Sequence, residues 1–140
     1  MNAPAPGVQG ILETSLYVAD LERARRFYTD LFGFAELFAD DRMVALEVPG
    51  RQVLLLFLHG ASRAIDQPDG GLPGHDGWGS MHFAFAISRA ALPAWRARLA
   101  ARGVAVELEK AWPRGGFSLY FRDPDGHLAE LATPGLWWPA

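Results

Sequence analysis

The 140-residue chain contains no cysteine, which excludes disulfides, thiolate metal ligands and cysteine nucleophiles together. Positive charge is scarce as well: 13 Lys and Arg against 16 Asp and Glu leave a net charge of −3. That balance gives no electrostatic handle for nucleic acid or an anionic membrane, and neither partner is expected. Long apolar runs are missing. The most apolar stretch, VLLLFL at residues 53–58, falls far short of the roughly 20 residues a membrane-crossing helix needs. The opening MNAPAPGVQG lacks both the basic and the apolar segment of a signal peptide, so a cytoplasmic protein is expected. What the chain has in quantity is hydrophobic side chains, 50% of the total, enough for a packed interior. Its length suits one domain, or two small modules sharing a core.

The chain repeats one pattern twice. ILETSLYVAD alternates as a strand, and LERARRFYTDLFGF then sets Leu21, Ala24, Tyr28 and Leu31 at helical spacing. Asp20 is placed to cap that helix and Gly33 to stop it. FAELFAD, RMVALEV and RQVLLLF follow as three short strands. The second copy opens with MHFAFAIS and continues into RAALPAWRARLAARG. There Leu92, Trp95 and Leu99 form the stripe, Ser88 stands as cap, Gly103 as stop, and Pro93 falls in the tolerant first turn. VAVELEK, FSLYFRD and HLAELAT complete it, the last two joined by the turn Asp123-Pro124-Asp125-Gly126. The expected architecture is α+β: two βαβββ modules, 11–58 and 80–133, whose sheets cup a cavity. A tail (1–10), a linker (59–79) rich in Gly and Pro and a terminal segment (134–140) flank and join them.

One side chain resists a purely structural reading. Glu130 stands among Leu128, Ala129, Leu131 and Ala132, and a carboxylate in such a run is costly unless paired, protonated or metal-bound. Period-2 alternation assigns Leu16 and Val18 to the helix side of the first strand, and Phe83 and Phe85 to that of its counterpart. Glu13, His82 and Glu130 then point to the opposite, concave side. One His and two carboxylates suit a divalent ion with open coordination positions. Counting four residues from each turn glycine pairs Glu130 with Leu54 in the first copy.

These residues resemble the vicinal oxygen chelate superfamily, which includes glyoxalase I, extradiol dioxygenases, fosfomycin-resistance enzymes and bleomycin-resistance proteins. The motifs that carry the resemblance are ETSLYVADLERARRFYTDLFGF, HFAFAI and SLYFRDPDGHLAEL, within a span from about Ile11 to Ala132. The resemblance implies paired βαβββ modules, a homodimer and metal ligands at Glu13, His82 and Glu130. It implies a catalytic role for Glu130 as base and for Tyr120 as an active-site tyrosine. Leu54 then stands where glyoxalase I has a further Glu ligand, and Glu13 where extradiol dioxygenases usually have His. The implied activity is lyase, isomerase or dioxygenase chemistry on a small oxygenated substrate that chelates the metal. Mn²⁺, Fe²⁺, Ni²⁺, Co²⁺ and Zn²⁺ all suit the ligand set. The rival reading is a binding protein that sequesters a small molecule without turnover.

Other residues carry weaker expectations. Arg114, in the long AWPRGGF hairpin, is a candidate clamp for an anionic substrate, and Arg122 a second. His59 and His75 lie in the linker, where a surface position is the plainer reading. Trp78, Trp112, Trp137 and Trp138 are candidates for a pocket or an interface. Arg23, Arg25 and Arg26 are expected to form a wet helix face.

Overall fold

The computed structural model describes residues 3–63 and 71–140; residues 64–70 of the linker lie outside the described residues. The first module runs β1 (Glu13–Val18), α1 (Leu21–Phe32), β2 (Ala35–Ala39), β3 (Met43–Val48) and β4 (Gln52–Leu58). The second runs β5 (His82–Ala86), a 3-10 turn (Arg89–Ala91), α2 (Leu92–Ala101), β6 (Val106–Ala111), β7 (Phe117–Arg122) and β8 (Leu128–Ala132). Both modules are therefore βαβββ.

Helix α1 starts and stops as its sequence dictates. Asp20 is extended and accepts the Arg23 N–H at 3.0 Å, and Gly33 closes the helix in the left-handed conformation. Ala24, Tyr28 and Leu31 are its buried stripe. At α2 the outcome differs in one detail. Ser88 precedes the 3-10 turn but makes no side-chain cap, and Pro93 occupies the first helical turn.

Each module forms its own four-stranded sheet, in the orders β1-β4-β3-β2 and β5-β8-β7-β6. The β1–β4 and β5–β8 pairs are parallel, because a helix and a hairpin intervene, and the other pairs are antiparallel. The helices lie between the sheets. Leu16, Tyr28 and Leu46 from the first module and Leu99, Phe121 and Leu131 from the second join one core, none more than 1% exposed. Burial on this scale makes the two modules a single folding unit. The outward faces of the sheets consequently look away from each other.

The turn after β7 fastens the modules. Asp123 Oδ2 accepts the buried Tyr28 hydroxyl at 2.6 Å, while its Oδ1 accepts the backbone N–H groups of Asp125 and His127. Asp125 Oδ1 accepts the Ala19 N–H at 2.8 Å and the Arg23 guanidinium at 3.1 Å. His127, only 1% exposed, bridges the same gap. Its Nδ1 accepts the Met81 N–H at 3.0 Å, so the neutral ring carries its proton on Nε2 and donates to the Tyr17 carbonyl at 2.8 Å. Arg23, expected on a wet face, is thus drawn into the junction.

Candidate metal centre

The outward face of the second sheet carries the chemistry. Alternation puts His82 and Ala84 on that face of β5, Glu130 on β8, and Ser118 and Tyr120 on β7. Glu130 stands opposite Ala84 on one side and Tyr120 on the other. Its residue is 4% exposed, and its carboxylate meets both Ser118 and His82. Ser118 Oγ donates to Oε2 at 2.6 Å, and His82 Nε2 lies 3.2 Å from Oε1. Trp112 Nε1 donates to Ser118 Oγ at 2.8 Å, so the hydroxyl that orients Glu130 is itself held.

The state of His82 follows from its other nitrogen. Nδ1 lies 2.9 Å from the Leu128 carbonyl oxygen, which can only accept, so Nδ1 carries a proton. In the neutral ring, Nε2 then offers a lone pair toward an anionic carboxylate oxygen. Two acceptors at 3.2 Å need a proton or a cation to reconcile them. An ion fits: two ligand atoms each about 2.1 Å from a metal and 3.2 Å apart subtend about 100°, between octahedral and tetrahedral angles. Tyr120 flanks the pair, its ring 6.1 Å from that of His82. Burial, and then the Glu130 charge and hydrogen bond, raise its phenol above the ordinary value, so it holds its proton at neutral pH.

These groups open into a cavity of about 630 Å³. His82, Tyr120 and Glu130 mark its polar part; Trp112, Trp137 and Trp138 are among the aromatic walls. Glu13 does not join them. It is exposed at the start of β1 in the other sheet, and no three His, Cys, Asp or Glu side chains among the described residues gather closely enough to hold an ion. The chain brings together two of the three expected ligands.

Three expectations about the pocket need correction. Leu54 is not on the concave side: it is 1% exposed and packs with Leu16 and Leu56 in the helix-side core. The register pairs Ser15 with Leu55 as it pairs Ala84 with Glu130, so Leu55 is the counterpart of Glu130. Counting from glycine failed because the two hairpin turns differ. Pro49, Gly50 and Arg51 join β3 to β4, with positive φ at both Gly50 and Arg51, whereas five residues, 123–127, join β7 to β8. Arg114 is not free to clamp a substrate: it donates to the Trp137 carbonyl at 3.1 Å and more weakly to that of Leu136. Arg122 is committed to Glu107 at 2.8 Å, Ser80 and the Gly126 carbonyl, and it does not line the cavity.

The linker histidines also lie elsewhere. His75 meets the Tyr17 hydroxyl at 2.7 Å and stacks edge-on against Phe57, on the outward face of the first sheet. His59 lies 2.8 Å from the Gly77 carbonyl, beside Trp78. Sequence reasoning missed Ser118 and His127. Ser118 was legible in FSLYF, two positions from Tyr120 and therefore on its face. His127 gave no comparable signal, since its partners belong to β1 and to the strand-entry backbone.

Comparison with known proteins bears on the family and the fold. The Glyoxalase/Bleomycin resistance protein/Dioxygenase superfamily model matches residues 10–131, and the chain belongs to that family. Catechol-2,3-dioxygenase of Bacillus subtilis is 32% identical over 83% of the chain, which spans only 38% of that relative's length. Metallothiol transferase FosB of Shouchella clausii is 28% identical over 92% of the chain and 83% of its own. The crystal structure of lactoylglutathione lyase from Agrobacterium tumefaciens superimposes with a TM-score of 0.87 at 35% identity, over 94% of this chain and 98% of that one. Relatives named as a dioxygenase, a transferase and a lyase share one fold, so the fold alone does not select a reaction. No helix among the described residues is long and apolar enough to cross a membrane.

Proposed function

We propose that the protein is a metal-dependent enzyme acting on a small molecule that chelates the ion through neighbouring oxygens. The observation that carries this is the His82 Nε2–Glu130 Oε1 pair, 3.2 Å apart at the polar end of the cavity. His82 and Glu130 are two ligands for Mn²⁺, Fe²⁺, Ni²⁺, Co²⁺ or Zn²⁺. A bound ion supplies Lewis acidity toward a developing oxyanion, or a centre for dioxygen chemistry. Glu130 would serve as base through Oε1 when that oxygen is off the ion, Ser118 fixes the opposite oxygen, and Tyr120 offers a proton at its hydroxyl.

The third ligand is Glu13 of a second copy. With both helices between the sheets, the outward faces of one chain cannot face each other, so Glu13 and His82 can meet only across a dimer. A purified dimer should bind about one Co²⁺ per chain, and His82→Ala or Glu130→Ala should weaken binding more than about 100-fold. Glu130→Gln should keep some metal while the rate on an identified substrate collapses. Mixing a Glu13→Ala chain with a His82→Ala chain tests the shared site directly. A mixed dimer has one site carrying both changes and one carrying neither, so Co²⁺ binding should recover in part. Absence of any recovery in verified mixed dimers sinks the shared site, and a native protein that ignores micromolar Co²⁺, Mn²⁺, Fe²⁺, Ni²⁺ and Zn²⁺ sinks the enzyme reading. The apolar walls favour a second reading, sequestration without turnover. It is chosen if a ligand binds tightly and is recovered unchanged from the metal-loaded protein.

A further inference from the structure

We propose that residues 134–138 form the specificity wall of this site and that the substrate carries an aromatic ring beside its chelating oxygens. The inference rests on the metal-site reading for the chelating end only. Along the parallel strands β5 and β8, the outward positions run from His82 through Ala84 to Ala86, and from Glu130 to Ala132. Polar ligands therefore give way to small side chains roughly 6–7 Å further along each strand. Room opens there, and Trp112, Trp137 and Trp138 border it. Two of the side-chain polar groups in this region are already engaged. Trp112 Nε1 is tied to Ser118, and Thr133 Oγ1 accepts the Phe117 N–H at 2.8 Å and donates to the Pro134 carbonyl. What remains is mainly apolar surface, in a cavity whose volume lies within the range of small-molecule sites.

The wall is built into the fold. Gly116 N–H donates to the Gly135 carbonyl at 3.2 Å, and a Cβ on Gly135 would come within 2.4 Å of Gly116 N. The backbones approach as closely as they do because both residues are glycine. Arg114, on the same hairpin, holds the carbonyls of Leu136 and Trp137. Trp137 and Trp138 are each 78% exposed, so their rings contribute little to the core and stand free to pack on a ligand. Arg114 is thus a positioning residue for the wall.

Mandelate and lactate test this as a matched pair, since both offer the same vicinal oxygens and only mandelate has a ring. Calorimetric titration of the Co²⁺-loaded dimer should show mandelate binding at least about tenfold tighter. Trp137→Ala and Trp138→Ala should each cut that preference to about threefold or less, with lactate and Co²⁺ affinities unchanged; Arg114→Ala should do the same. A second arm uses metal-free protein. Benzoate, and not acetate, should shift the Trp137 and Trp138 indole N–H resonances, assigned from the two variants. Benzoate shifts in a protein that binds no metal would uphold the wall and reject the metal reading. Equal mandelate and lactate affinity in a protein that does bind Co²⁺ would reject the wall alone. Tryptophan variants that alter the oligomeric state by sedimentation, with the mandelate preference intact, would assign the wall to a second copy and overturn the proposal.

Discussion

The two modules share a backbone plan and differ on their outward faces position by position. His82 corresponds to Glu13, Glu130 to Leu55, Tyr120 to Ala45 and Ser118 to Met43. In the second module these positions hold a ligand pair, its orienting hydroxyl and a phenol. In the first, Ala45, Leu55 and Phe57 form a small apolar cluster with Tyr17 and Met43, over which His75 packs. The helix-side faces show no such divergence, because both feed one core. Duplication supplies a scaffold that each copy must keep on one side and is free to change on the other. Chemistry is concentrated on the second module's free face, and the first module's carries two carboxylates, Glu13 and Glu47, which flank Val53 in the register.

The largest test of that comparison moves a carboxylate into the first module. Leu54→Glu buries an unpaired charge in the core and should cost about 4 kcal/mol or more, enough to abolish cooperative unfolding or soluble expression. Leu55→Glu puts the same group on the outward face opposite Ser15. It should cost less, because Leu55 sits in the small outward cluster and not in the main core, and, in the shared site, raise Co²⁺ affinity by at least about tenfold. Thermal unfolding and Co²⁺ titration of both variants decide the matter. A folded Leu54→Glu protein with tighter metal binding would return the count from glycine to favour.

Why the count misled shows what the sequence displays. Helical stripes, Asp20, Gly33 and the alternation of β1 and β5 are local features, and each is read within a few residues. So is the oddity of Glu130, whose apolar neighbours announce a carboxylate in need of partners. Register is not local. It depends on how many residues each turn consumes, and the positive φ of Arg51 leaves no composition signal. Arg114 was misread for a related reason. A loop arginine offers five donors to any acceptor, and the carbonyls that take them belong to a segment 22 and 23 residues away. His127 was missed because its burial comes from the other module, 110 positions back along the chain.

The next effect in size concerns the fastener, which only the second module supplies. Tyr28→Phe leaves Asp123 Oδ2 without its buried donor and should lower stability by about 1.5–3 kcal/mol at neutral pH. The same variant carries a pH signature. Burial, and then the Asp123 charge and hydrogen bond, hold the Tyr28 phenol well above its ordinary value of 10.0. The folded state therefore keeps a proton that the unfolded state gives up. That stability is fully present below pH 10 and declines as pH rises through and beyond that value. Denaturant midpoints from pH 8 to 11 should fall for the native protein and fall less for Tyr28→Phe; parallel curves would remove Tyr28 from the alkaline response.

A smaller effect is expected at the hydroxyl that module one replaces with Met43. Ser118→Ala removes the donor to Glu130 Oε2 and frees Trp112 Nε1, without touching a ligand atom. Co²⁺ affinity should drop about tenfold, at the low end for residues that orient metal ligands, or about 1.4 kcal/mol. The Co²⁺ absorption spectrum should shift as the carboxylate turns. Ser118→Thr keeps the donor and should recover most of the affinity. An unchanged dissociation constant for Ser118→Ala would leave Glu130 positioned by His82 and Tyr120.

The smallest effect separates the buried part of the fastener from its rim. Arg23 is about half exposed, and its 3.1 Å contact with Asp125 Oδ1 is shared with the Ala19 N–H. The Asp125 side chain is itself only 8% exposed, so the pair is wet on the guanidinium side alone; exposed pairs contribute about 0.2–1 kcal/mol and weaken as salt is added. Removing the guanidinium leaves Oδ1 still bonded to the backbone, so Arg23→Ala should cost less than about 1 kcal/mol at low ionic strength. Little of that should remain in about 1 M NaCl, where the screening length is only a few ångströms. The Tyr28→Phe deficit, seated in the core, should persist in the same salt. Denaturant curves of both variants at two ionic strengths make the distinction. If the Arg23→Ala deficit survives salt undiminished, the junction extends to the surface as one desolvated unit, and the division between a buried latch and a wet rim fails.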